Sequence, residues 1–459
     1  MARRLFVFAL SLTCLGPAGA AAPNRSSLFS SYEVVPLQLK APFNDLFDRA
    51  RTDDTYAVTG ALSYTDGGRE VTIEGVKVTL RGHTSKRESE CAFPKLKLQF
   101  PKGAPTEGSV LAGLASLKIG THCGESTDVG GKYGRLPNEQ SPNREAFVYR
   151  LLEAVGVPTL KARPARITYV YTDAHGGQSP AQEQPVVRNA LLVENAEDAV
   201  RRLGAERELD VKAFTNARQQ FPPADTARLA FAEAMIGNFD WCLKMTPDDT
   251  YRCDAREPLW NIVAAASADG HARPLPYDFD VSGMVTGRHP WFKDVFNEAF
   301  VSSRSQPEIE VLAQLQRTRT LFTRNELDAA RAEFVQRKAE AYRALESAGL
   351  DPAGKRTAQE YLDSFFATIA SDEAFYRPVV TKAGANAYSN ESRAVVCSSN
   401  GPIPVGTPVS EPLQTKGSLI QVVLLDALWH WAPPVKCPAV HEGPVWIDAA
   451  AVSRDFPKQ

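Results

Sequence analysis

Apolar residues in the first quarter of the chain recur at a spacing of two. REVTIEGVKVTLRG sets Val71, Ile73, Val76, Val78 and Leu80 in apolar rows, with Gly75 where the register can shift. FPKLKLQF alternates again, with Leu96, Leu98 and Phe100 on one face and Lys95, Lys97 and Gln99 on the other. SYEVVPLQLKA, YAVTGALSYTDGG and ASLKIGTHC are also β-rich, the second ending in a turn at Asp66-Gly67-Gly68. The period then becomes helical. SPNREAFVYRLLEAVGVP has a Ser/Pro start, apolar Ala146, Phe147, Leu151 and Ala154, and a stop at Gly156 before Pro158. ARITYVYTD and RNALLVEN predict strands, and AEDAVRRLGA a short helix. TARLAFAEAMIGNFDW is apolar enough for a buried helix and ends in polar residues; LWNIVAAA and RPLPYDF predict two short strands. From Pro307 to Gly349 the pattern is helical and charged, Asp351-Pro352 breaks it, and AQEYLDSFFATIAS resumes it. From about Asn386 the chain is rich in Gly, Pro and Val, which predicts a small SH3-like β-barrel over residues 386–459 with Trp429, Trp431 and Trp446 in its core. The fold class expected is α+β, and no internal repeat is visible.

Length and composition narrow the setting. At 459 residues the chain is too long for one small core, so two or more domains are expected. A hydrophobic content of 43% is globular, and a net charge of −2 gives no ground for a nucleic-acid partner. Arg3 and Arg4, the apolar LFVFALSLTCLG and the small residues Ala18-Gly19-Ala20 predict an export signal over residues 1–20, followed by a flexible leader over 21–30. Thr13 before Cys14 fits a lipid-attachment site poorly. No later segment is long and apolar enough to span a bilayer, so the expected product is exported, periplasmic or secreted. Cys91, Cys123, Cys242, Cys253, Cys397 and Cys437 remain, an even set in an exported chain. Six cysteines allow fifteen pairings, of which nearest-neighbour bridging is the simplest.

The candidate chemistry lies in two groups. GNFDW carries Asn238 and Asp240 at the end of an apolar helix, Asn261 stands beside a strand, and PYDFD carries Asp278 and Asp280. Carboxylates and a carboxamide oxygen are hard donors suited to Mg²⁺ or Mn²⁺. Arg81, Gly82, Lys95, Lys97 and Lys118 form a basic, glycine-containing counterpart upstream. Together the two ends suit a nucleoside triphosphate. DFDVSG also fits the Asp-x-Asp opening of haloacid-dehalogenase-like phosphatases, but it lies two-thirds along the chain and is followed by helices. Alone, it would read as a turn with solvated acids.

Taken in order, RGHTSK…FPKLKLQF, REAFVYRLL, LLVEN, GNFDW with the later Asn261, and PYDFD resemble the CotH-type spore-coat protein kinases and their exported bacterial relatives. The resemblance covers about residues 75–285 as ordered short motifs, GN-x-DW followed by YDFD being the most specific. It implies an atypical protein-kinase-like core over residues 31–385. It also implies ATP- and divalent-metal-dependent phosphotransfer to a protein or envelope acceptor. Asp240, with Asn238 beside it, would take the acceptor's proton. Asn261 would help hold the metal, and Asp278, with Asp280 close by, would bridge metal and phosphates. Lys97, with Lys95 and Lys118 as alternatives, would be the strand lysine on the phosphates, paired by Glu145. Arg81 and Gly82 would lie near the phosphates. Two features depart from the family pattern. Asn261 follows Asp240 by 21 residues, across an insert holding Cys242 and Cys253, and FPKLKL is shorter than the spore-coat form. A disulfide closing the insert would return Asn261 to the site. The alternative is a catalytically silent relative, a binding or scaffold protein whose C-terminal domain docks on envelope material.

Overall fold

The computed structural model describes residues 28–456 apart from 105, 107–108, 126–130, 132–133, 174–183, 248–257, 288–304, 397–401 and 426–442. The export signal, most of the leader, Cys14, Cys253, Cys397, Cys437, Trp429 and Trp431 lie outside the described residues.

The alternating stretches become strands β1 (Val35–Ala41), β2 (Val58–Asp66), β3 (Arg69–Leu80), β4 (Leu96–Gln99), β5 (Ser116–Gly120), β6 (Ala162–Tyr171) and β7 (Val186–Val193). They close into a barrel in the order β1-β2-β3-β4-β5-β7-β6. Every pairing is antiparallel except β1 with β6. Period-two burial drives the closure: Val35, Leu37, Leu39 and Ala41 face inward while the residues between them face solvent. Each fully buried Leu or Ile contributes about 1.5–3 kcal/mol. Gly75 does shift the register, because Gly60 pairs with Val76 but Leu62 with Ile73, and a left-handed φ of 71° at Gly75 accommodates the extra residue. Leu28, within the stretch expected to be leader, is fully buried in the barrel core at the start of a one-turn 3₁₀ segment. The helix α1 (Phe43–Ala50) follows β1 and packs Phe43 and Leu46 into the same core.

The chain then turns helical. α2 (Ser141–Ala154) is buried nearly all round, because it lies between the barrel and the remaining helices. After α3 (Ala196–Arg202) and α4 (Ala217–Gln220), α5 (Pro223–Met235) is buried along most of its length, from Thr226 to Met235 apart from Arg228, as its apolar composition predicts for a central helix. Short strands β8 (Arg207–Glu208), β9 (Cys242–Leu243), β10 (Leu259–Trp260), β11 (Ile262–Ala266) and β12 (Ala272–Pro276) fold beside it. LWNIVAAA is therefore not one strand. It breaks at Asn261, whose φ is 54°, and its halves join different sheets. The short α6 (Gly283–Thr286) and the helices Gln306–Thr318, Arg324–Gln336, Lys338–Glu346 and Pro352–Ile369 complete this part. Asp351 ends the preceding helical run and caps the last helix through the Gly354 N–H.

Beyond it, Gln414–Lys416, Leu419–Val422 and Val445–Asp448 form a three-stranded antiparallel sheet, and Val379–Val380 pairs with Val452–Ser453. Trp446 is buried against Tyr388 and Leu419. Arg319, 1% exposed, ties this segment to the helices by donating to the carbonyls of Arg377, Arg454 and Phe456. Among the described residues no helix is long and apolar enough to cross a membrane.

Candidate active site

The residues singled out by their chemistry gather where the barrel meets the helices. α5 ends at Met235, and Gly237-Asn238-Phe239-Asp240 turns away from it. Asn238 is fully buried. Its amide donates to Glu233 Oε2 at 2.8 Å, and its carbonyl oxygen accepts from the Asp240 N–H at 3.0 Å. Asn238 thus holds the Asp240 loop from behind and does not face the site, which corrects its expected place in the catalytic set. Asp240 is half-buried and receives two neighbours from the far side of the insert. Trp260 Nε1 donates to Oδ1 at 3.2 Å, and Asn261 Nδ2 donates to Oδ2 at 3.1 Å and to the Asp240 carbonyl at 2.6 Å. The return of Asn261 over 21 residues is made by the β9–β10 pairing, Leu243 with Leu259 and Cys242 with Trp260. Cys242 is disulfide-bonded, and Cys253, the partner that nearest-neighbour bridging predicts for it, lies outside the described residues.

β12 delivers the second acidic pair. Asp278 takes a left-handed φ of 68°, and its N–H donates to the Tyr149 hydroxyl at 3.0 Å. The Phe279 N–H donates to Glu145 Oε1 at 3.2 Å. Both acceptors lie on α2, so one helix fixes the loop that carries both aspartates. Lys95, at the foot of β4 and 4% exposed, bridges the pair: its ammonium meets Asp278 Oδ1 and lies 2.9 Å from Asp280 Oδ2. Lys95, rather than Lys97, is therefore the strand lysine that reaches the acids. Lys97 points to the same side of the strand two residues on, pairs across the sheet with Lys118, and makes no ion pair with these acids. Lys118 lies over the Tyr277 ring at 5.7 Å. Glu145, expected to partner the lysine, lies beyond ion-pair distance and acts on it through its field. Arg81 donates its N–H to the Lys95 carbonyl at 2.9 Å, and Gly82 turns the chain out of β3 with φ 89°.

Arg135 was not anticipated. Its guanidinium donates to Asp280 Oδ2 at 2.7 Å, with Glu90 at 3.8 Å on its other side. It stands in the irregular stretch GGKYGRLPN, which has no periodicity to mark it; the one available signal is a lone Arg between a glycine and Leu-Pro. The Cys91–Cys123 disulfide, one of the nearest-neighbour pairs, closes a separation of 32 residues behind Lys95. With Lys95, Arg135, Glu145 and Asp280 it lines a cavity that leaves about 10 Å³ for the centre of a water molecule.

The charges interact strongly. Burial raises Asp240 to about 7, aided by the negative charges of Asp278 and Asp280. Burial likewise raises Glu145 to about 7 against the pull of Lys95. Burial alone would lower Lys95, but Asp278 and Asp280 leave it raised. Asp280 is held well below the usual carboxylate range, since Arg135 and Lys95 outweigh its burial. A carboxyl raised to about 7 beside a lysine-bridged acidic pair can exchange a proton near neutral pH. Among the described residues no cluster of three or more His, Cys, Asp and Glu forms a ready metal cage. The donors at hand are two carboxylates and the amide oxygen of Asn261.

No family profile and no curated protein sequence matches the chain. Among solved structures, the chain is similar to the crystal structure of a Helicobacter pylori proinflammatory kinase, CtkA, at 9% identity and a TM-score of 0.30, over 59% of this chain and 90% of that one. A likeness that loose carries no argument.

Proposed function

We propose that the protein is a nucleotide- and divalent-metal-dependent phosphotransferase with an atypical kinase core, acting outside the cytoplasm on a hydroxyl of a protein or envelope component. One observation carries the reading. Asp240, bonded to Asn261, lies within the field of Asp278 and Asp280, and a buried lysine bridges those two acids.

A divalent cation fits these residues. The Lys95 ammonium is a positive charge that both aspartates already converge on, and Asp280 Oδ1 is buried with no hydrogen-bond partner. Asp278 and Asp280 would hold the ion with the amide oxygen of Asn261, whose nitrogen is taken by Asp240. The ion would supply neutralisation of the phosphate charge. Lys95 and Arg81 bind and orient the phosphates. Asp240 accepts the proton of the acceptor hydroxyl as its oxygen bonds to the γ-phosphorus. The bond from that phosphorus to the bridging oxygen breaks, and its electron pair leaves with the nucleoside diphosphate. Alignment and charge compensation supply the rate, so no covalent enzyme intermediate is needed. The C-terminal strands, read as an SH3-like unit, dock the enzyme on envelope material.

A silent scaffold is the second reading, favoured by one observation: Lys95 and Arg135 already neutralise the aspartates. Thermal shift with ATP and Mn²⁺ or Mg²⁺ separates the two, because a ligand that binds only the folded chain raises its apparent stability. The proposal expects a shift that Asp278→Ala removes. No shift in the wild type, or an equal one in the variant, overturns it. With labelled ATP and candidate acceptors, Asp240→Asn is expected to abolish transfer and leave nucleotide binding intact.

A further inference from the structure

Two glycines flank the acidic loops, Gly237 three residues before Asp240 and Gly283 three residues after Asp280. Both face one aromatic ring. A Cβ at Gly237 would lie 2.8 Å from Tyr361 Cζ, and one at Gly283 would lie 2.5 Å from the same atom and 2.9 Å from Glu310 Oε2. Gly237 also has a φ of 61°, which glycine adopts without strain. Where the ring touches them the loops are bonded to each other: the Gly283 N–H donates to the Gly237 carbonyl at 3.0 Å, and the Met284 N–H to the Ile236 carbonyl at 3.1 Å.

The ring is anchored. Tyr361, on the helix Pro352–Ile369, is 1% exposed, and its hydroxyl donates to Glu310 Oε2 at 2.5 Å. Glu310, on the helix Gln306–Thr318, is fully buried, and its other oxygen accepts from Gln306 Nε2 at 2.6 Å. Filling this volume needs only an apolar side chain, and burying a carboxyl group is unfavourable unless its bonds are met. The tyrosine–glutamate bond adds what an apolar residue lacks: it fixes the ring against rotation and sliding while two backbone segments rest on it.

We infer that Tyr361, oriented by Glu310, is a positioning residue that fixes the separation between the Asp240 loop and the Asp278–Asp280 loop. In its catalytic consequence this rests on the phosphotransferase reading. Nucleotide binding draws on the loop of Asp278 and on Lys95, whereas transfer also needs Asp240 aligned with the bound phosphate. A displacement of about 1 Å between loops can lower a rate on the order of 100-fold.

The test uses the full chain with Tyr361→Phe, Glu310→Leu and Glu310→Gln, the last of which still accepts the phenol hydrogen. Well below the unfolding temperature, Tyr361→Phe and Glu310→Leu are expected to bind Mn²⁺–ATP within about twofold of wild type. Single-turnover transfer should fall by roughly tenfold or more, with Glu310→Gln close to wild type. Hydrogen exchange gives a readout that needs no activity: the Gly283 and Met284 amides should lose protection selectively, while barrel amides such as Leu39 and Ile167 keep theirs. If Tyr361→Phe does not fold, the two Glu310 variants decide by the same measurements. Unchanged exchange at Gly283 and Met284 overturns the inference, as does transfer that follows stability alone. Selective loosening in the variants, with no transfer by the wild type, would instead retain the clamp and overturn the phosphotransferase reading.

Discussion

Lys95→Met tests the electrostatics of the site most directly. The substitution keeps an unbranched side chain of similar length and removes the ammonium that bridges Asp278 and Asp280. The three side chains are 4%, 19% and 14% exposed, so solvent screens them weakly. Arg135 remains on Asp280, and Asp278 loses its ion-pair partner. Breaking a buried pair from one side costs about 3–5 kcal/mol, because the charge left behind is uncompensated. Unfolding entropy scales with length, so a chain of 459 residues shifts by about 1 °C per kcal/mol, and the melting temperature should fall by roughly 3–5 °C. The pH dependence follows. Asp280 has a depressed folded-state pKa, so its contribution is present above its unfolded value and lost as pH falls through the folded one. Glu145 has a raised pKa, near 7 even with Lys95 present. Its contribution is full below its unfolded value near 4.5 and is lost as pH rises through about 7. Without Lys95 the folded-state pKa values of Asp280 and Glu145 rise, so the deficit of the variant should be largest above pH 7 and should shrink towards pH 4. Urea denaturation followed by tryptophan fluorescence measures it. Adding Asp278→Asn should recover more than half of the loss. A deficit within about 0.5 kcal/mol at pH 7, or strict additivity in the double mutant, would refute the bridge.

Three further outcomes are expected. Asp240→Asn removes an acid raised from 3.8 to about 7, so the wild type should lose more stability than the variant as pH rises from 4 to 8, while Glu145 contributes to the loss in both. Three units would amount to about 4 kcal/mol, and partial exposure of Asp240 reduces this to roughly half; the constant penalty of the misplaced amide cancels when the two pH values are compared by denaturation. Replacing Cys91 and Cys123 by serine opens a separation of 32 residues and should cost about 3–4 kcal/mol, measured by denaturation of variant and wild type side by side without reductant. Arg144 donates through Nε and Nη2 to both oxygens of Asp351, at 2.9 and 2.8 Å, and through Nη1 to the Val285 carbonyl, so Arg144→Met should destabilise by about 2–3 kcal/mol and Arg144→Lys should recover only part of it by the same assay.

Local pattern made the strands and helices legible, and it stopped where long-range pairing began. The rows of Val71, Ile73, Val76, Val78 and Leu80 point to a strand with one buried face, and the bulge at Gly75 is visible in the same text. Closure of the barrel is not visible. It depends on β1 pairing in parallel with β6, Val35 against Ala165, and nothing local specifies that partner. The choice between Lys95 and Lys97 fails for a related reason. A period of two puts both on one side of β4, and only the approach of the 278–280 loop, fixed by Glu145 and Tyr149 on α2, decides which one meets the acids. Arg135 escaped because irregular chain carries no period. Asn238 and Asp240 were found together by composition, but their division of labour, one buried support and one half-buried acid, is a matter of direction that a sequence does not carry.

Backbone strain adds an argument that neither composition nor motif supplies. Among the described residues, four that are not glycine have a left-handed φ: Cys123, Asn261, Asp278 and Arg393. The first three belong to the candidate site. Each such residue costs about 1–2 kcal/mol, less for Asn and Asp, and persists only where its surroundings hold it. The holding contacts are identifiable. Cys123 is tied by its disulfide and by its bridge to Phe93, Asn261 by its two bonds to Asp240, and Asp278 by Tyr149 and Lys95. Strain distributed at random over the chain would relax by substitution to glycine or by a small shift of the loop. Its concentration around one buried lysine and three acids means that the side chains are wanted where the backbone resists them. Outliers of this kind gather at functional sites, which supports the proposed phosphotransferase reading. Asn261→Gly relaxes the backbone and gives up both bonds to Asp240, so binding separates the cases: affinity for metal–nucleotide should fall if the amide oxygen is a working ligand and should not change if the residue is a relic.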